Sequence, residues 1–308
     1  MAELAVIIVT WNVRDLALNA IDALLKDVEA HGPSTQVIVV DSASSDGSAD
    51  AIAHAFPQVR VIASEENLGF GRANNLGLRA LGFGQPGAAL PDAVYLLNPD
   101  TLTQPGATRT LYDTLTQRPR AGLVGARLSY GDGSFQHAAF RFPGLRQLWV
   151  EFFPTPGRLI EGGFNGRYPR ERYHGGIPFE VDFVLGATMM LRREVIEQTG
   201  MFDESFFMYC EEIDWAWRIH EAGWQVLCVP SAHVVHLGGQ SSTQVRPRAF
   251  VHLWTSRLHL FDKHYPAWKT ALARQMILLG LRQKLRDPEL SAELKAAYQQ
   301  IIELARAS

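Results

Sequence analysis

Ala5-Val6-Ile7-Ile8-Val9-Thr10 is a short, almost wholly apolar and β-branched run that leads directly into the polar Trp11-Asn12. Such a run reads as a strand buried on both faces. Three more follow at 36–41, 59–63 and 93–97. Between them, Leu16, Ile21, Leu24, Leu25 and Val28 recur at helical spacing, and segments 48–55 and 72–81 carry helix formers between turn residues. Strands alternating with helices predict an α/β fold with a mostly parallel, Rossmann-like central sheet flanked by helices. Ligands of such open sheets bind beyond the carboxyl ends of the strands. The first candidates are therefore Thr10-Trp11-Asn12, Asp41-Ser42, the stretch 64–71 and Asn98-Pro99-Asp100.

The chain has 308 residues, enough for one large α/β domain with an appendage at about 100–200 residues per domain. With 47% apolar and 20% charged residues it falls outside the disordered and collagen-like classes. Lys and Arg number 29 against 32 Asp and Glu, a net charge of −3, so there is no global attraction for a polyanion and no nucleic-acid partner is expected. Cys210 and Cys228, the two cysteines, make neither a disulfide framework nor, alone, a zinc site, and the default is a reducing compartment. The start lacks a basic region, and the apolar runs 5–9 and 276–281 fall far below the roughly 18 residues of a membrane span. The expected location is cytoplasmic, with peripheral membrane contact the closest approach to a bilayer.

Regularity breaks over 142–179, where Pro143, Pro154, Pro156, Pro169 and Pro178 mix with glycines and aromatics, and this stretch reads as a long loop. Order returns over 181–191, then with a helix over 211–221 ended by Gly223, then with strand-like 225–229 and 233–236. After Gly238-Gly239 the composition changes, and 248–264, 269–284 and 289–306 read as three helices punctuated by Pro266 and Pro288.

Gly82-Phe83-Gly84-Gln85-Pro86-Gly87 matches G-x-G-x-x-G in form only, since it follows a helical segment and contains a proline. No G-x-x-x-x-G-K-[ST] stretch occurs. Asp41 and Asp100 each suit a turn, but two acidic strand ends on one parallel sheet also suit a nucleotide with a divalent ion, because Mg²⁺ takes one or two carboxylates plus phosphate oxygens. In Glu211-Glu212-Ile213-Asp214 the helix dipole and an Asp214–Arg218 pair account for Glu211 and Asp214 better than for Glu212. His236 alone reads as a core histidine or a metal ligand.

Read in order, these pieces resemble the family 2 inverting nucleotide-sugar glycosyltransferases, which have the GT-A fold. The resemblance rests on Val9-Thr10-Trp11-Asn12, Val40-Asp41-Ser42-Ala43-Ser44-Ser45-Asp46-Gly47, Asn67-Leu68-Gly69-Phe70-Gly71-Arg72-Ala73-Asn74-Asn75 and Leu97-Asn98-Pro99-Asp100. It continues through Gly186-Ala187, Leu191-Arg192-Arg193, Gly200-Met201-Phe202-Asp203-Glu204, Phe206-Phe207-Met208-Tyr209, Glu211-Glu212-Ile213-Asp214 and the stretch 230–236. It covers roughly residues 4–240 and implies a GT-A domain over 1–240, with a nucleotide-binding half at 1–104 and an acceptor half at 105–240, followed by a helical extension over 241–308.

The resemblance implies roles residue by residue. Thr10, Asn12, Asp41 and Ser42 would surround the nucleoside, and Asn67, Gly69, Arg72 and Asn75 would border the diphosphate and sugar of the donor. Asp100 is similar to the metal carboxylate of the family's D-x-D motif, with Asn98 departing from it at the first position, and His236 to a histidine that some members add. The implied cofactor is Mg²⁺ or Mn²⁺. Of the acidic pair Glu211-Glu212, the second is expected to be the base that deprotonates an acceptor hydroxyl, with Asp214 the alternative. Gly186, Ala187 and Trp215 fall on the acceptor side, and the 142–179 loop, with Tyr168, Tyr173 and His174, is expected to form an acceptor lid.

Processive family members carry Q-x-x-R-W and membrane spans. Here the nearest stretch is Gln244-Val245-Arg246-Pro247-Arg248, so addition of a single sugar is expected. The Asn-Pro-Asp variant and the Phe206–Asp214 string look most like rhamnosyltransferase-like members that build bacterial cell-surface glycans. The expected donor is dTDP-rhamnose and the acceptor a glycan or a polyprenyl-diphosphate-linked sugar. The alternatives are a UDP-hexose or UDP-N-acetylhexosamine transferase and a catalytically silent sugar-nucleotide-binding module. From Arg246 to Arg286 nine basic residues face one acidic residue, Asp262. Interleaved Phe250, Trp254, Phe261, Tyr265 and Trp268 either pack these helices onto the domain or form a basic face for anionic lipid.

Overall fold

The computed structural model describes residues 2–238 and 246–307. Gln244 and Val245 lie outside the described residues. The first half runs β1 (Leu4–Thr10), α1 (Arg14–His31), β2 (Thr35–Ser42), α2 (Ser48–Ala55), β3 (Arg60–Ser64), α3 (Gly69–Ala80), β4 (Ala93–Leu97), β5 (Thr101–Thr103) and α4 (Ala107–Gln117). It continues with β6 (Ala121–Ser129), β7 (Phe135–Gln136), β8 (Ala139–Phe140), α5 (Leu145–Phe152), α6 (Gly157–Ile160), α7 (Glu171–His174), β9 (Phe179–Glu180), β10 (Phe183–Val184) and β11 (Thr188–Arg192). α8 (Arg193–Thr199), α9 (Glu211–Glu221) and β12 (Gln225–His236) complete the sheet region, and α10 (Arg246–His264), α11 (Ala267–Lys284) and α12 (Ala292–Arg306) close the chain.

The central sheet has the order β3-β2-β1-β4-β11-β6-β12-β5, with β7 added on β6 and β9 on β12. β3, β2, β1 and β4 pair in parallel, as do β6 and β12, while β11 runs against both β4 and β6. The mostly parallel sheet expected from the alternation is therefore present, and β1 and β4 are buried throughout or nearly so. α1 turns Ala17, Ala20, Ile21 and Leu24 to the core. Its buried Asp27 accepts from the Thr108 backbone N–H at 2.9 Å, and so satisfies a free donor in the first turn of α4.

Two features differ from the sequence reading. The strand-like pieces 225–229 and 233–236 are one strand, β12, whose register against β6 slips between Val229 and His233. The 142–179 segment is folded rather than an open loop. Leu148 and Phe152 of α5 join Trp254, Leu258, Phe261, Ile277, Leu281, Tyr298 and Ile301 in a second hydrophobic cluster. Tyr168 and Tyr173 are buried, their hydroxyls bonded to Asp182 Oδ1 at 3.2 Å and to the Ala139 carbonyl at 3.3 Å. Neither is free to reach a sugar, and His174 alone of the three is exposed.

Five of the basic side chains of the C-terminal helices are engaged within the fold, while Arg248, Arg282 and Arg286 are exposed. Lys263 pairs with Asp203 and Asp214, Arg257 with Glu151 and Arg274 with Asp262, while Lys269 lies over the Tyr265 ring and Lys284 over Phe152. Trp254 and Phe261 are core residues. Trp268 is not, being 67% exposed on α11 beside Leu272 at 46% and Leu279 at 56%. Among the described residues no helix is long and apolar enough to cross a membrane.

Candidate active site

β1, β2 and β4 end at one edge of the sheet. β11 starts there, because Thr188 pairs with Leu97, and β12 ends there, because His236 pairs with Thr101. The strand ends enclose a cleft of about 270 Å³ lined by Ser42, Asn67, Gly69, Asn98, Asp100, Gly186, Ala187, Glu211, Glu212 and His236, together with Val9, Trp11, Phe70, Pro99, Leu185, Met208 and Tyr209. Residues separated by more than two hundred positions thus meet in one place.

Thr10 and Asp41 sit just inside the lining as register partners on β1 and β2. Both are buried, and among the described residues Thr10 Oγ1 and Asp41 Oδ1 have no hydrogen-bond partner. Buried polar atoms are nearly always satisfied, so two orphans side by side point to a ligand that supplies the missing bonds. Asp41 Oδ2 accepts from the Ser44 N–H at 3.0 Å. The Asn12 N–H donates to Ser44 Oγ at 2.9 Å, and its Oδ1 accepts from the Ser45 N–H at 2.7 Å. Asn12 thereby ties together the loops that follow β1 and β2.

The opposite wall is the start of α3. Ser42 Oγ accepts from the Leu68 N–H at 2.8 Å and Asn67 Oδ1 from the Gly69 N–H at 3.0 Å. Gly69 has φ +70°, and a Cβ there would stand 2.1 Å from the Phe207 carbonyl oxygen. Only glycine allows this contact, which lets the Phe70 N–H donate to the same oxygen at 3.2 Å. The remaining two expected donor-side residues point elsewhere. Asn75 is buried, with its amide bonded to Phe202 N–H, Phe202 carbonyl and Glu204. Arg72 pairs with Glu66 at 3.1 Å on the surface.

At the head of the cleft His236 Nε2 lies 3.3 Å from Asp100 Oδ1. Its Nδ1 lies 3.2 Å from Gln136 Oε1, a carbonyl-type oxygen that accepts a hydrogen bond when the ring's proton is on Nδ1. Nε2 then carries a lone pair that faces a carboxylate, and two electron donors that converge in this way suit a shared cation. Among the described residues no group of three or more His, Cys, Asp or Glu forms a metal cage, so a metal here would complete its shell from phosphate and water, as Mg²⁺ does with one or two protein carboxylates.

Glu211 and Glu212 open α9 directly after Tyr209 and Cys210, whose φ values are +69° and +67°. Asn12 and Ala43 are the other non-glycine residues in the left-handed region among those described, and they flank the same end of the sheet. Strained backbone persists where the surroundings fix it and gathers at functional sites. Burial pushes the Glu212 carboxyl up to about 7 against weaker opposition from backbone hydrogen bonds. Burial, reinforced by the Glu212 charge, holds Glu211 well above the carboxylate range, and Glu211 Oε2 has no hydrogen-bond partner among the described residues. Gly186 faces Glu212, with its missing Cβ 3.8 Å from the Glu212 Cβ and Cγ.

Asp214 and Trp215 do not enter the cleft. Asp214 is 0% exposed and is held by Arg218 Nε at 3.0 Å, Lys263 Nζ at 2.7 Å and His264 Nε2 at 2.8 Å. Burial would raise its carboxyl, but the bonds from His264 and Lys263 hold it below its ordinary value. A walled-in carboxylate of this kind does not take a proton from an acceptor. Trp215 is a core side chain whose Nε1–H donates to Thr199 Oγ1 at 2.9 Å. Sequence reasoning missed Gln136, which lies in a two-residue strand, and the partners that α10 supplies to Asp214, because nothing local marks either.

The model of the family described as "Glycosyl transferase family 2" matches residues 5–200. An N-acetylglucosaminyl-diphospho-decaprenol L-rhamnosyltransferase of Mycobacterium tuberculosis is 31% identical over 77% of this chain and 78% of its own. The dTDP-rhamnosyl transferase RfbF of Shigella flexneri is 24% identical over 78% and 70%, and the rhamnosyltransferase WbbL of Escherichia coli 26% over 59% and 66%. Among solved structures, the mannosyltransferase PcManGT of Pyrobaculum calidifontis, in complex with GDP-Man and Mn²⁺, aligns with TM-score 0.52 at 16% identity over 99% of this chain and 73% of that one. GalNAc-T7 with UDP, GalNAc and Mn²⁺ aligns with TM-score 0.56 at 15% identity over 77% of this chain and 43% of that one. These two show a shared GT-A fold.

Proposed function

The chain belongs to glycosyl transferase family 2, and on that premise we propose that it moves a single L-rhamnosyl group, with inversion, from a dTDP-rhamnose donor to a hydroxyl of a polyprenyl-diphosphate-linked sugar in cell-surface polysaccharide assembly. The observation that carries this reading is the sharing of one cleft by the raised carboxyl of Glu212, which faces Gly186, and the Asp100–His236 pair. The rhamnosyltransferase names of three relatives support the sugar, and the M. tuberculosis relative's name supports the acceptor class.

In this reading the donor's nucleoside lies against Thr10, Asn12, Asp41 and Ser42, and its diphosphate and sugar lie between Asn67-Gly69 and Asn98. The acceptor enters past Gly186 and Ala187, with residues 1–104 serving the donor and 105–240 the acceptor. Ionised Glu212 takes the proton of the acceptor hydroxyl as its oxygen bonds to the anomeric carbon. The bond from that carbon to the diphosphate oxygen breaks on the opposite face, so one displacement inverts the centre and no second carboxylate is needed. A base that titrates near the working pH is effective and still ionised in good part. Asp100 and His236 would hold the divalent cation, which when bound offsets the charge that develops on the departing nucleoside diphosphate.

Peripheral membrane contact, if the acceptor is lipid-linked, falls to the outward face of α11, where Trp268, Leu272 and Leu279 stand clear of the second core. The activity test offers dTDP-rhamnose and UDP-sugars, each with Mn²⁺, Mg²⁺ or EDTA, to a lipid-diphosphate-linked N-acetylglucosamine, and reads the anomeric configuration of the product by NMR. Metal-dependent transfer of rhamnose with inversion is expected. Turnover with a UDP-sugar alone would reassign the donor, and retention would remove the single-base scheme.

A further inference from the structure

Behind the cleft, a second charge cluster joins the helix of the acid pair to the C-terminal helices. Asp214 Oδ1 takes bonds from Lys263 and His264, and Asp214 Oδ2 takes one from Arg218. Lys263 Nζ also reaches Asp203 Oδ2 at 2.6 Å, and Arg218 Nη2 donates to the Met201 carbonyl at 2.9 Å. The His264 ring stacks on Trp217 at 4.7 Å and 22°. The backbone N–H of Asp214 donates to the Cys210 carbonyl at 2.9 Å. Asp214 therefore bonds α10 through its side chain, while its main chain makes the first regular i→i−4 bond of α9, to the left-handed residue just before Glu211 and Glu212.

α10 also braces the segment that delivers the acid pair. Ser256 Oγ donates to the Met208 carbonyl at 2.8 Å, and His259 Nε2 lies 2.9 Å from Ser205 Oγ. The His259 and His252 rings pack on Phe206 and Phe207 at 4.6 and 4.8 Å. Two consecutive non-glycine residues at positive φ do not hold that conformation unaided. Around it, α9 bonds the Cys210 carbonyl, and α10, about fifty residues downstream, braces residues 205–208 directly before it. The match to the family model ends at residue 200, before any of this begins.

We infer that α10 is a working part of the transfer site, with Lys263 and His264 as positioning residues that act through Asp214 to fix the turn aiming Glu212 into the cleft. The inference rests on the proposed role of Glu212 as base. It makes the C-terminal helices necessary for turnover rather than an attachment, although none of their described side chains lines the cleft.

The test compares full-length Lys263→Met, Lys263→Arg and Ile301→Ala with the unaltered protein. Ile301→Ala opens a cavity in the second core without touching Asp214, and so controls for loss of stability alone. Sugar transfer is measured well below the melting temperature of the weakest variant, donor nucleotide binding by calorimetry, and backbone exchange over 206–212 by mass spectrometry. Displacing a reacting group by about 1 Å costs on the order of 100-fold. Lys263→Met is therefore expected to lose roughly 10- to 100-fold in kcat, with donor Kd little changed and faster exchange at 206–212. Lys263→Arg should recover most of the loss, and Ile301→Ala should lower Tm without either effect. Lys263→Met behaving like Ile301→Ala in kcat and exchange would overturn the inference. If the unaltered protein transfers no sugar, the functional reading fails, and the exchange comparison by itself decides whether α10 fixes the turn.

Discussion

His236 turns Nε2 to Asp100 Oδ1 at 3.3 Å and Nδ1 to Gln136 Oε1 at 3.2 Å, so the side chain of a two-residue strand sets which nitrogen of the ring faces the cleft. A partner that fixes the tautomer of a metal histidine contributes to affinity without touching the ion, and its loss typically costs 10- to 100-fold. We expect Gln136→Ala to weaken Mn²⁺ binding on the order of 10- to 100-fold and Asp100→Asn to weaken Mn²⁺ and donor binding together. Titration calorimetry with and without nucleotide measures both. Unchanged donor affinity of Asp100→Asn in the presence of Mn²⁺ would move the cation elsewhere.

Glu212→Gln is expected to abolish transfer while leaving donor affinity within a few-fold, since nucleotide binding does not use the base. With its carboxyl pushed up to about 7, the rate of the unaltered protein should rise with pH through that value as Glu212 ionises. A pH–rate profile flat from pH 5 to 8 would point to another base.

The same shift has a stability consequence of opposite sense. Between the ordinary glutamate value and about 7, the unfolded chain gives up its proton before the folded one does. Glu212 therefore opposes folding increasingly as pH rises through that window and most fully above it. Glu212→Gln should raise Tm at pH 8 and leave it nearly unchanged at pH 4, as thermal melts at the two pH values will show.

Gly69→Ala places a methyl 2.1 Å from the Phe207 carbonyl oxygen at φ +70°, where strain alone costs about 1–3 kcal/mol. The start of α3 must separate from the 206–209 segment to relieve it. Denaturant melts should show that loss, and donor Kd should worsen as the two cleft walls part. A fully stable variant with normal Kd would mean that this close contact does not shape the cleft.

Phe152→Ala tests the folded state of the 142–179 segment. Phe152 is buried against Trp254, with ring centroids 4.9 Å apart, and deletion of a buried phenylalanine costs about 3–5 kcal/mol. Equilibrium unfolding should show a loss of that order, whereas a side chain on an open loop would cost almost nothing.

The early strands were legible because β-branched runs alternate with helices at regular spacing, and the site followed from the rule that ligands gather at strand ends. β6 was passed over because Gly122 and Gly125 interrupt its apolar run. Both glycines answer to tertiary contacts, since a Cβ at either would stand 2.7 Å from Trp224 or Val184. The prolines of 142–179 read as a loop because the partners of α5 lie more than a hundred residues further on. Asp214 looked like a second catalytic carboxylate for the same kind of reason, because the Lys263 and His264 side chains that bond it arrive from about fifty residues downstream. In each case the local pattern was sound, and what settled the residue's role was a distant segment that folds onto it.

Thr10 Oγ1, Asp41 Oδ1 and Glu211 Oε2 are buried without partners among the described residues, and each such atom costs about 1–3 kcal/mol until something bonds it. A ligand that meets them binds only the folded chain, and at a hundredfold excess over Kd it adds about 2.7 kcal/mol of stability. Changes of about 1–2 kcal/mol alter how much of a protein escapes proteolysis in a cell several-fold. Pulse-chase labelling in cells depleted of the sugar nucleotide should accordingly show a shortened half-life, and an unaltered one would mean that the ligand-free protein is stable enough by itself. The abundance of this transferase is thus expected to follow the supply of its donor, so that cells short of the activated sugar also retain less of the catalyst that consumes it.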